Sequence, residues 1–530
     1  MIKGFRQIVV LTVVSRVLGM IRDMVFAFFL GASGVMDGWV IAFMIPNLSR
    51  RLFGEGAASS SLIPVYSREL ARDRRAADRL AMTAATVVFV LLAVIVIAGE
   101  ALVWILYALS DHEATRLKLV LTGAMLPYMI LVCTVAILGG ILNTHRHFAA
   151  PAAAPVVLNV LLIVALCFGG WALKVPARTQ VFLAAGAVLL TGFVQLVMHI
   201  PPLHSCGVHL RPAWDIRSDA FRRVLLLMGP MILGLAATQI NTLADSFIAL
   251  WLSGSPEKGH FFMLLGWRID YPLWEGAVSQ LFYAQRLYQF PLGVFGISLA
   301  TAIFPVLSAD AARNDLVSLR NTVSRGLRCS LFISIPATVG LVLISEPTVS
   351  LLFERGEFSS ADSVGTTFAL AFYVLGLSGY FAQQVLTRVF YALQESGVPA
   401  RSAAVAVLVN VCLNLTLVWF LGCGGLAAST AICSYIQVGI LMTVLRHRLG
   451  PGFLHGMGRA ILQTIGATIC MEVVLLAVMY ALRYHGIALQ LSLAVPAAAV
   501  AYLLISWLLH IEMLGLLLGG RRTTAVVARP

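Results

Sequence analysis

The sequence has few charged residues: Asp, Glu, Lys and Arg make up 12% of its 530 positions, whereas 60% are hydrophobic. Ordinary soluble domains are roughly 45–50% apolar and about 25% charged, because their surfaces must face water. The apolar residues here are grouped in blocks of about 20, the length of helix that crosses a hydrocarbon layer of roughly 30 Å. The composition therefore excludes a soluble globular protein and predicts an all-α, polytopic membrane protein.

The sequence also lacks the motifs of common enzymes and metal sites. Its eight cysteines are scattered without a C-x-x-C pair, so they indicate neither a zinc site nor a disulfide framework. No P-loop, Ser-His-Asp arrangement or metal-spaced histidine cluster is present in the sequence. We therefore expect a protein that is not an enzyme and that needs no bound cofactor.

Fourteen apolar segments of the chain predict about 14 transmembrane helices. Their approximate ranges are 8–31, 35–65, 81–109, 118–143, 155–173, 180–201, 220–252, 282–307, 318–345, 363–393, 400–421, 424–446, 459–482 and 490–514. Lys and Arg in the connecting loops are uneven, with 23 on the side of both termini and 8 on the other. This bias predicts cytoplasmic termini. Basic loops facing anionic lipid headgroups also account for the net charge of +13 without any nucleic-acid partner.

The chain contains two weak internal repeats at nearly one offset. The segment around Pro64 is similar to that around Pro305, and the loop before Pro151 is similar to that before Pro399. Because each copy starts from the cytoplasmic side, the repeat predicts two six-helix lobes related by a pseudo-two-fold axis along the membrane normal. The predicted parts are an N-terminal lobe 1–205, a C-terminal lobe 218–448 with an external insertion 253–280, two further helices in 459–515, and a cytoplasmic tail 516–530.

Several ionisable residues fall within the first two apolar segments. Arg16, Arg22 and Asp23 lie in the first, and Asp37, Asn47, Arg50, Arg51 and Glu55 lie in the second. A charged side chain at the bilayer centre costs about 2.5–3.5 kcal/mol on insertion scales, so we expect these residues to face a water-accessible cavity. Arginine binds phosphate oxygens with a fixed fork and keeps its proton, which favours an anionic substrate.

Each of these charges also has a purely structural interpretation. Arg22 and Asp23 form a packing pair if they neutralise each other, and Arg50 and Arg51 reach the cytoplasmic surface if their helix ends at Ser49. Arg286 is alternatively an interfacial anchor. Glu100 and Glu472 are expected near span ends, at the membrane interface.

The charged segments closely resemble the signature of the MurJ/MviN family, over about residues 1–450. The matching residues are Ser15, Arg16, Gly19, Arg22, Asp23, Asp37, Pro46, Asn47, Arg50, Arg51, Glu55, Gly56, Ala57, Gly139, Asn143, Gly229, Pro230, Arg286, Phe290, Pro291, Gly293, Gly296, Phe304 and Pro305. The family belongs to the multidrug/oligosaccharidyl-lipid/polysaccharide exporter superfamily. Two positions depart from its pattern: Met44 stands where a basic residue is frequent, and Gln285 where an acidic one is frequent.

The resemblance implies a flippase that carries lipid II, an undecaprenyl-pyrophosphate-linked peptidoglycan precursor, across the bacterial inner membrane by alternating access. The protein would act as a monomer, and it would take part in cell-wall biogenesis and the maintenance of cell shape. The substrate-binding residues implied by the resemblance are Arg16, Arg22, Asp37, Asn47, Arg50, Arg51, Glu55 and Arg286.

Transport of a charged headgroup needs a driving force. The sequence is compatible with a Na⁺ gradient, a proton gradient or the membrane potential as its source. Asp245 lies in the seventh segment, and Asn410 and Asn414 share a helix face in the eleventh. Carboxylate and amide oxygens suit a hard cation, so these three residues form a candidate coupling site. The alternative is that the amides hydrogen-bond between helices.

Two other functions fit the sequence less well. An exporter of other polyprenyl-linked oligosaccharides or of small organic ions would share the fold. A non-transporting membrane scaffold would need the arginines for folding alone.

Overall fold

The computed structural model describes residues 2–454 and 456–517, which divide by their contacts into two compact units. The first unit comprises residues 1–279 with the short segment 355–359, and the second comprises 280–354 and 360–530. The lobe boundaries expected from the internal repeats stay a prediction.

The first unit is built from helices joined by short turns, with a small β region at its C-terminal end. Its helices are α1 (Ile2–Leu30), α2 (Gly34–Ser49), α3 (Ala57–Leu70), α4 (Arg74–Leu109), α5 (Glu113–Met125), α6 (Tyr128–Thr144), α7 (Ala149–Cys167), α8 (Ala177–Ser205) and α9 (Asp219–Trp251). Helix α1 packs against α7, α2 against α5, α3 against α9, and α8 against both α6 and α7.

The second unit is also helical. Its helices are α10 (Ala277–Pro291), of which the first turn lies in the first unit, α11 (Ile297–Ala312), α12 (Leu316–Leu343), α13 (Ser345–Phe353), α14 (Ser360–Leu375), α15 (Leu377–Ala392), α16 (Gly397–Leu421), α17 (Cys423–Leu449), α18 (Met457–Ala481), α19 (Ile487–Leu508) and α20 (Glu512–Leu517). A 3-10 turn, Pro451–Leu454, follows α17. Helix α12 packs against α15 and α18, and α17 packs against α14 and α16.

The expected all-α membrane fold is confirmed. In the described residues, ten helices are long and apolar enough to cross a membrane, or eleven if α14 and α15, which meet at a bend of 43°, form one span. Large apolar side chains are exposed along these helices, for example Ile97, Leu102 and Trp104 on α4. Lipid solvates such a surface, whereas water does not. The exact number of fourteen spans stays a prediction.

Two spans are interrupted by π-helical segments at corresponding places. The residues Arg50–Gly56 separate α2 from α3, and Leu292–Gly296 separate α10 from α11. Pro64 lies in α3 and Pro305 in α11, so each proline follows its π segment by a similar distance. This shared local structure supports the repeat that the sequence predicts around the two prolines. A third π segment, Phe168–Ala172, ends α7.

The expected external insertion contains strands, which the sequence analysis did not predict. Strands β2 (Phe261–Leu264) and β3 (Trp267–Asp270) form an antiparallel hairpin, and β1 (Ser253–Gly254) pairs in parallel with β4 (Leu273–Trp274). Leu265 and Gly266 both have positive φ angles, which is the geometry of a two-residue hairpin turn.

The expected interfacial position of Glu472 is wrong. Its side chain is 8% exposed and packs between helices, where a Cβ on Gly340 of α12 would lie 3.5 Å from its Oε1. Tyr502 of α19 lies in the hydrophobic cluster that contains Met471, the neighbour of Glu472, and it donates a hydrogen bond of 2.6 Å to the carbonyl of Phe332. The end of α18 at Ala481 agrees with the predicted segment 459–482, so Glu472 lies well inside the span and not near its end.

Candidate functional site

Arg22 and Asp23 form a buried ion pair on α1. The guanidinium donates to Asp23 Oδ1 from Nε at 2.9 Å and from Nη2 at 2.6 Å. Asp23 is only 3% exposed, and the guanidinium offsets part of the cost of burying its carboxylate. The arrangement matches the packing-pair interpretation of these two residues, and it also leaves Arg22 partly exposed.

Asn159 of α7 completes this cluster and was not among the predicted site residues. Its Oδ1 accepts from Arg22 Nη1 at 3.0 Å, and its Nδ2 donates to the carbonyl of Ser15 at 3.0 Å. A Cβ at Gly19 would lie 3.6 Å from Asn159 Nδ2, which is an ordinary van der Waals contact, so this approach of the helices does not require a glycine. The sequence signal was present in the repeat, where Asn159 and Asn410 follow the two similar prolines.

Arg16 lies on the same helix but outside this cluster. Its side chain is exposed, one and a half turns before Arg22. The structure therefore brings Arg22, Asp23 and Asn159 together, and it places Arg16 on the neighbouring surface of α1.

Asp37 occupies a different, fully enclosed position near the start of α2. Its carboxylate is 1% exposed and accepts hydrogen bonds from the backbone amide of Gly276 at 2.7 Å, the amide of Ser279 at 2.8 Å and the hydroxyl of Ser279 at 2.6 Å. These groups lie at the first turn of α10, where backbone amides have no partner within the helix. Both carboxylate oxygens are thus engaged in the protein's own structure.

The next predicted site residues lie where α2 changes into its π segment. Arg50 donates to Asn47 Oδ1 from Nε at 3.2 Å and from Nη2 at 2.8 Å. Arg51 is exposed and donates from Nη1 to Gln239 Oε1 of α9 at 3.1 Å. The helical backbone does not end at Ser49, because the π segment Arg50–Gly56 continues it into α3, so the condition for the interpretation of Arg50 and Arg51 as surface residues is not met. The side chain of Glu55 lies outside the described residues.

Arg286 belongs to α10 in the second unit. Its guanidinium lies over the ring of Phe282, with the carbon 4.5 Å from the ring centroid. The neighbouring Gln285 donates from Nε2 to the hydroxyl of Tyr373 at 3.0 Å, so the amide that replaces the family's frequent acidic residue packs within the helix bundle. Arg286 is half-buried, and its contact with an aromatic face offsets part of the cost of placing a cation there.

The candidate cation-coupling residues are buried. Asp245 is 2% exposed on α9 of the first unit, and Asn410 and Asn414 are fully buried on α16 of the second. Asn414 Nδ2 donates to Asn410 Oδ1 at 2.8 Å, and Asn410 Nδ2 donates to Thr430 Oγ1 of α17 at 3.3 Å. Asn410 therefore forms one interhelical hydrogen bond of the kind that was the alternative to a cation site, whereas the bond between Asn414 and Asn410 lies within α16. Within the described residues, no group of three His, Cys, Asp or Glu side chains is arranged to bind a metal ion.

His145, in the loop after α6, is a titrating group with a defined electrostatic setting. His145 Nε2 lies 2.8 Å from the hydroxyl of Tyr66 on α3. Burial lowers the pKa of His145, and the charge of Arg74 lowers it further, while Asp78 acts in the opposite direction. His145 is therefore favoured as the neutral imidazole.

Comparison with known families gives one extensive match. The model of the family described as "Lipid II flippase MurJ" matches residues 26–495 of the chain. A probable lipid II flippase MurJ from Vibrio cholerae is 33% identical over 445 residues, which cover 81% of this chain and 80% of that protein. A lipid II flippase MurJ from Burkholderia cenocepacia is 30% identical, with 86% of each chain covered.

Solved structures show the same fold. The chain is similar to a lipid II flippase MurJ in an inward closed conformation, with a TM-score of 0.74, 24% identity, and 96% of this chain and 99% of that chain covered. It is also similar to an inward-facing multidrug transporter of the MATE family, with a TM-score of 0.66, 16% identity, and coverage of 82% and 95%. The fold is therefore that of the expected exporter superfamily, which includes proteins with different cargoes.

Proposed function

The chain belongs to the MurJ family of membrane transporters, and on this basis we propose that it is a lipid II flippase. It would move the lipid-linked peptidoglycan precursor from the cytoplasmic to the external leaflet of the bacterial inner membrane by alternating access. The observation that carries the proposal is the family match over residues 26–495, which includes Asp37, Asn47, Arg50, Arg51 and Arg286. The fold alone does not determine which substrate is transported, because a multidrug transporter has a similar fold.

The arginines support an anionic cargo. Arg16 is exposed on α1, and Arg22 on the same helix is held by the Asp23 carboxylate and the Asn159 amide. A pyrophosphate group offers the same acceptor geometry as Asp23 with more charge, so it would compete for the Arg22 guanidinium. The proposed substrate-binding set remains Arg16, Arg22, Asp37, Asn47, Arg50, Arg51, Glu55 and Arg286. The internal hydrogen bonds of Asp37 favour a role for this residue in positioning the start of α10.

The proposal includes the orientation and the driving force. Both termini would lie in the cytoplasm, and the protein would act as a monomer. Transport would depend on the membrane potential or on Na⁺ or protons, since one charge moved through 100 mV gains about 2.3 kcal/mol. Asp245, Asn410 and Asn414 remain the candidates for cation coupling, and the burial of all three supports a role away from the bulk solvent.

Depletion of the protein in its host tests the cargo. We expect lipid II to accumulate in the depleted cells, and we expect complementation by the wild type and by Arg16→Lys but not by Arg16→Glu. Accumulation of other lipid-linked oligosaccharides, with lipid II unchanged, would favour a different exporter of the same superfamily. Full complementation by Arg16→Glu would contradict an anionic cargo at α1.

A further inference from the structure

One acidic side chain lies deep in the part of the second unit that is formed by α12, α18 and α19. Glu472 is nine residues before the end of α18 at Ala481, which places it about 14 Å inside that end of the helix. The exposed Tyr480 and the cation–π contacts of Arg483 with Tyr480 and Tyr484 lie near the same end, as is typical of a membrane interface. Glu472 therefore lies at a depth where a span is surrounded by hydrocarbon.

The carboxyl group of Glu472 has no hydrogen-bond partner among the described residues, although the residue is 8% exposed and both of its oxygens are buried. The hydroxyl groups one and two turns before it on α18 are used within that helix. Thr468 Oγ1 donates to the carbonyl of Thr464 at 2.8 Å, and Thr464 Oγ1 donates to the carbonyl of Ala460 at 2.7 Å. An ionised carboxylate without donors would lose its hydration without compensation, so the neutral acid is the more stable form here.

The contact with α12 also disfavours a negative charge on Glu472. A Cβ on Gly340 would lie 3.5 Å from Glu472 Oε1, and Gly340 belongs to the last turn of α12, which ends at Leu343. The carbonyl groups of the last turn of a helix carry a negative partial charge. A carboxylate beside them is repelled, whereas an uncharged carboxyl group is not.

Opposite charges on the neighbouring helices are distant. Helices α12 and α19 pack against α18, and α19 carries no Asp, Glu, Lys, Arg or His. Arg328, the arginine of α12 that is nearest in sequence to Gly340, lies roughly 18 Å before it along the helix and pairs with Glu512 at 3.0 Å. The other titratable side chains of the three helices are Arg320, Arg325, Cys329, Arg459, Cys470, Tyr480 and Tyr502. Among the described residues, no charged group acts electrostatically on Glu472.

We infer that Glu472 is a proton-binding site of this transporter. The carboxyl group holds a proton while α18 is packed against α12, and it exchanges that proton with water in a conformation that exposes it. The inference deepens the proposed function, on which its role in transport rests, because Glu472 would be the group that couples transport to a proton gradient. The site is distinct from Asp245 on α9 and from Asn410 and Asn414 on α16.

Infrared spectroscopy of the purified protein tests the protonation without reference to any cargo. In an alkyl glycoside detergent at neutral pH, the wild type should show a carbonyl stretch of a protonated carboxylic acid that is lost in Glu472→Gln. The matched control is Glu346→Gln, which changes an exposed carboxyl group in the first turn of α13 and should leave this band unchanged. Identical wild-type and Glu472→Gln spectra in this region would overturn the site.

The same band tests the exchange of the proton with water. After transfer of the wild type into heavy water, the band should move to lower frequency, because the acid proton is replaced by a deuteron. A band that never moves would show that Glu472 is a permanently closed acid, and it would overturn the exchange.

Labelling of the wild type with dicyclohexylcarbodiimide is a second test that needs no variant. The acid proton passes to a nitrogen of the reagent while the carboxylate oxygen adds to its central carbon, and the resulting O-acylisourea rearranges to a stable N-acylurea. This reaction requires a protonated carboxyl group in apolar surroundings, since water hydrolyses the O-acylisourea. Mass spectrometry should find the N-acylurea on Glu472 and not on Glu346, and the absence of label on Glu472 would contradict a protonated acid.

Proteoliposomes that contain labelled lipid II test the coupling role. An imposed pH gradient should change the rate of lipid II movement by the wild type and leave the rate of Glu472→Gln unchanged. An equal response of the two proteins, or a wild type that moves lipid II without responding to the gradient, would overturn coupling through Glu472. A wild type that moves no lipid II under any condition would contradict the proposed function and with it the coupling role, whereas the infrared and labelling results would still decide whether Glu472 binds a proton.

Discussion

The charged residues within the helix bundle must meet two requirements. A charge that serves transport must also be stable in apolar surroundings. The Arg22–Asp23 pair shows how both are met: the guanidinium stays partly exposed while its carboxylate partner is almost completely buried. The sequence identified both residues as out of place in lipid. It gave no means of choosing between a packing pair and a substrate ligand, since Asn159, which fixes the geometry, is 137 positions away from Arg22.

The structural part of this pair is measurable separately from transport. Arg22→Ala should lower the free energy of unfolding by about 3 kcal/mol, because it removes the guanidinium that neutralises the buried Asp23 carboxylate. The double variant Arg22→Ala/Asp23→Asn should recover most of that loss in thermal unfolding of the purified protein. If the double variant is as stable as the wild type and also transports fully, Arg22 has no role in cargo binding.

The pKa of His145 predicts a pH dependence of stability. The unfolded histidine titrates near 6.5, and the folded-state pKa is lower because of burial and Arg74. Between these two values the unfolded chain binds more protons, so stability falls as the pH is lowered below 6.5 and is unaffected above it. Thermal unfolding of the wild type and of His145→Gln from pH 8 to pH 5 should show a smaller decrease in the variant. Parallel curves would rule out His145 as the titrating group.

Among the elements, the long apolar helices were the easiest to predict from the sequence, and the π segments that interrupt them were the hardest. Apolar blocks of about 20 residues mark each candidate span, because a backbone in lipid must satisfy its own hydrogen bonds. The π segments and the nine-residue helix α13 follow from packing rather than from local composition. The strands of the insertion were missed as well, because each has only two to four residues.

The π segment between α10 and α11 should tolerate little added volume. Gly296 is buried there, and a Cβ at that position would lie 3.0 Å from Leu292 Cδ1 and 3.3 Å from Phe381 Cγ. Gly296→Val should therefore destabilise the protein by about 1–3 kcal/mol through overpacking. Gly439→Val on α17 is the matched control, because a Cβ there meets nothing within 4 Å. Equal effects of the two substitutions on thermal unfolding would show that crowding at the π segment is unimportant.

For the molecule as a whole, the sequence predicted a membrane transporter of this superfamily, and the family match and the fold confirm it. Composition is a property of the whole chain, so it survives errors at individual spans, whereas one missed span would exchange the sides of all later loops and change the basic-loop bias. The details of the site were less predictable. Asp37 illustrates this, because its partners Gly276 and Ser279 are more than 200 residues away and depend on the complete fold.

The predicted orientation is testable with one residue on each side of the membrane. Leu265, at the tip of the β2–β3 hairpin, is 94% exposed, and Asn314 lies in the turn between α11 and α12. On a background in which the exposed Cys412 and Cys470 are replaced by serine, Leu265→Cys should react with a membrane-impermeant thiol reagent in spheroplasts. Asn314→Cys should react only after permeabilisation. The reverse pattern would place the termini outside the cell.

Movement of the cargo itself is the most direct test of the proposed function. The purified protein would be reconstituted into liposomes with fluorescent lipid II, and a reducing agent that cannot cross the membrane would report the fraction in the outer leaflet over time. We expect the wild type to equilibrate lipid II between leaflets, and Arg22→Lys to retain more of this activity than Arg22→Glu, which should have none. Wild-type proteoliposomes indistinguishable from protein-free liposomes, under every imposed Na⁺, proton and potential gradient, would contradict the account.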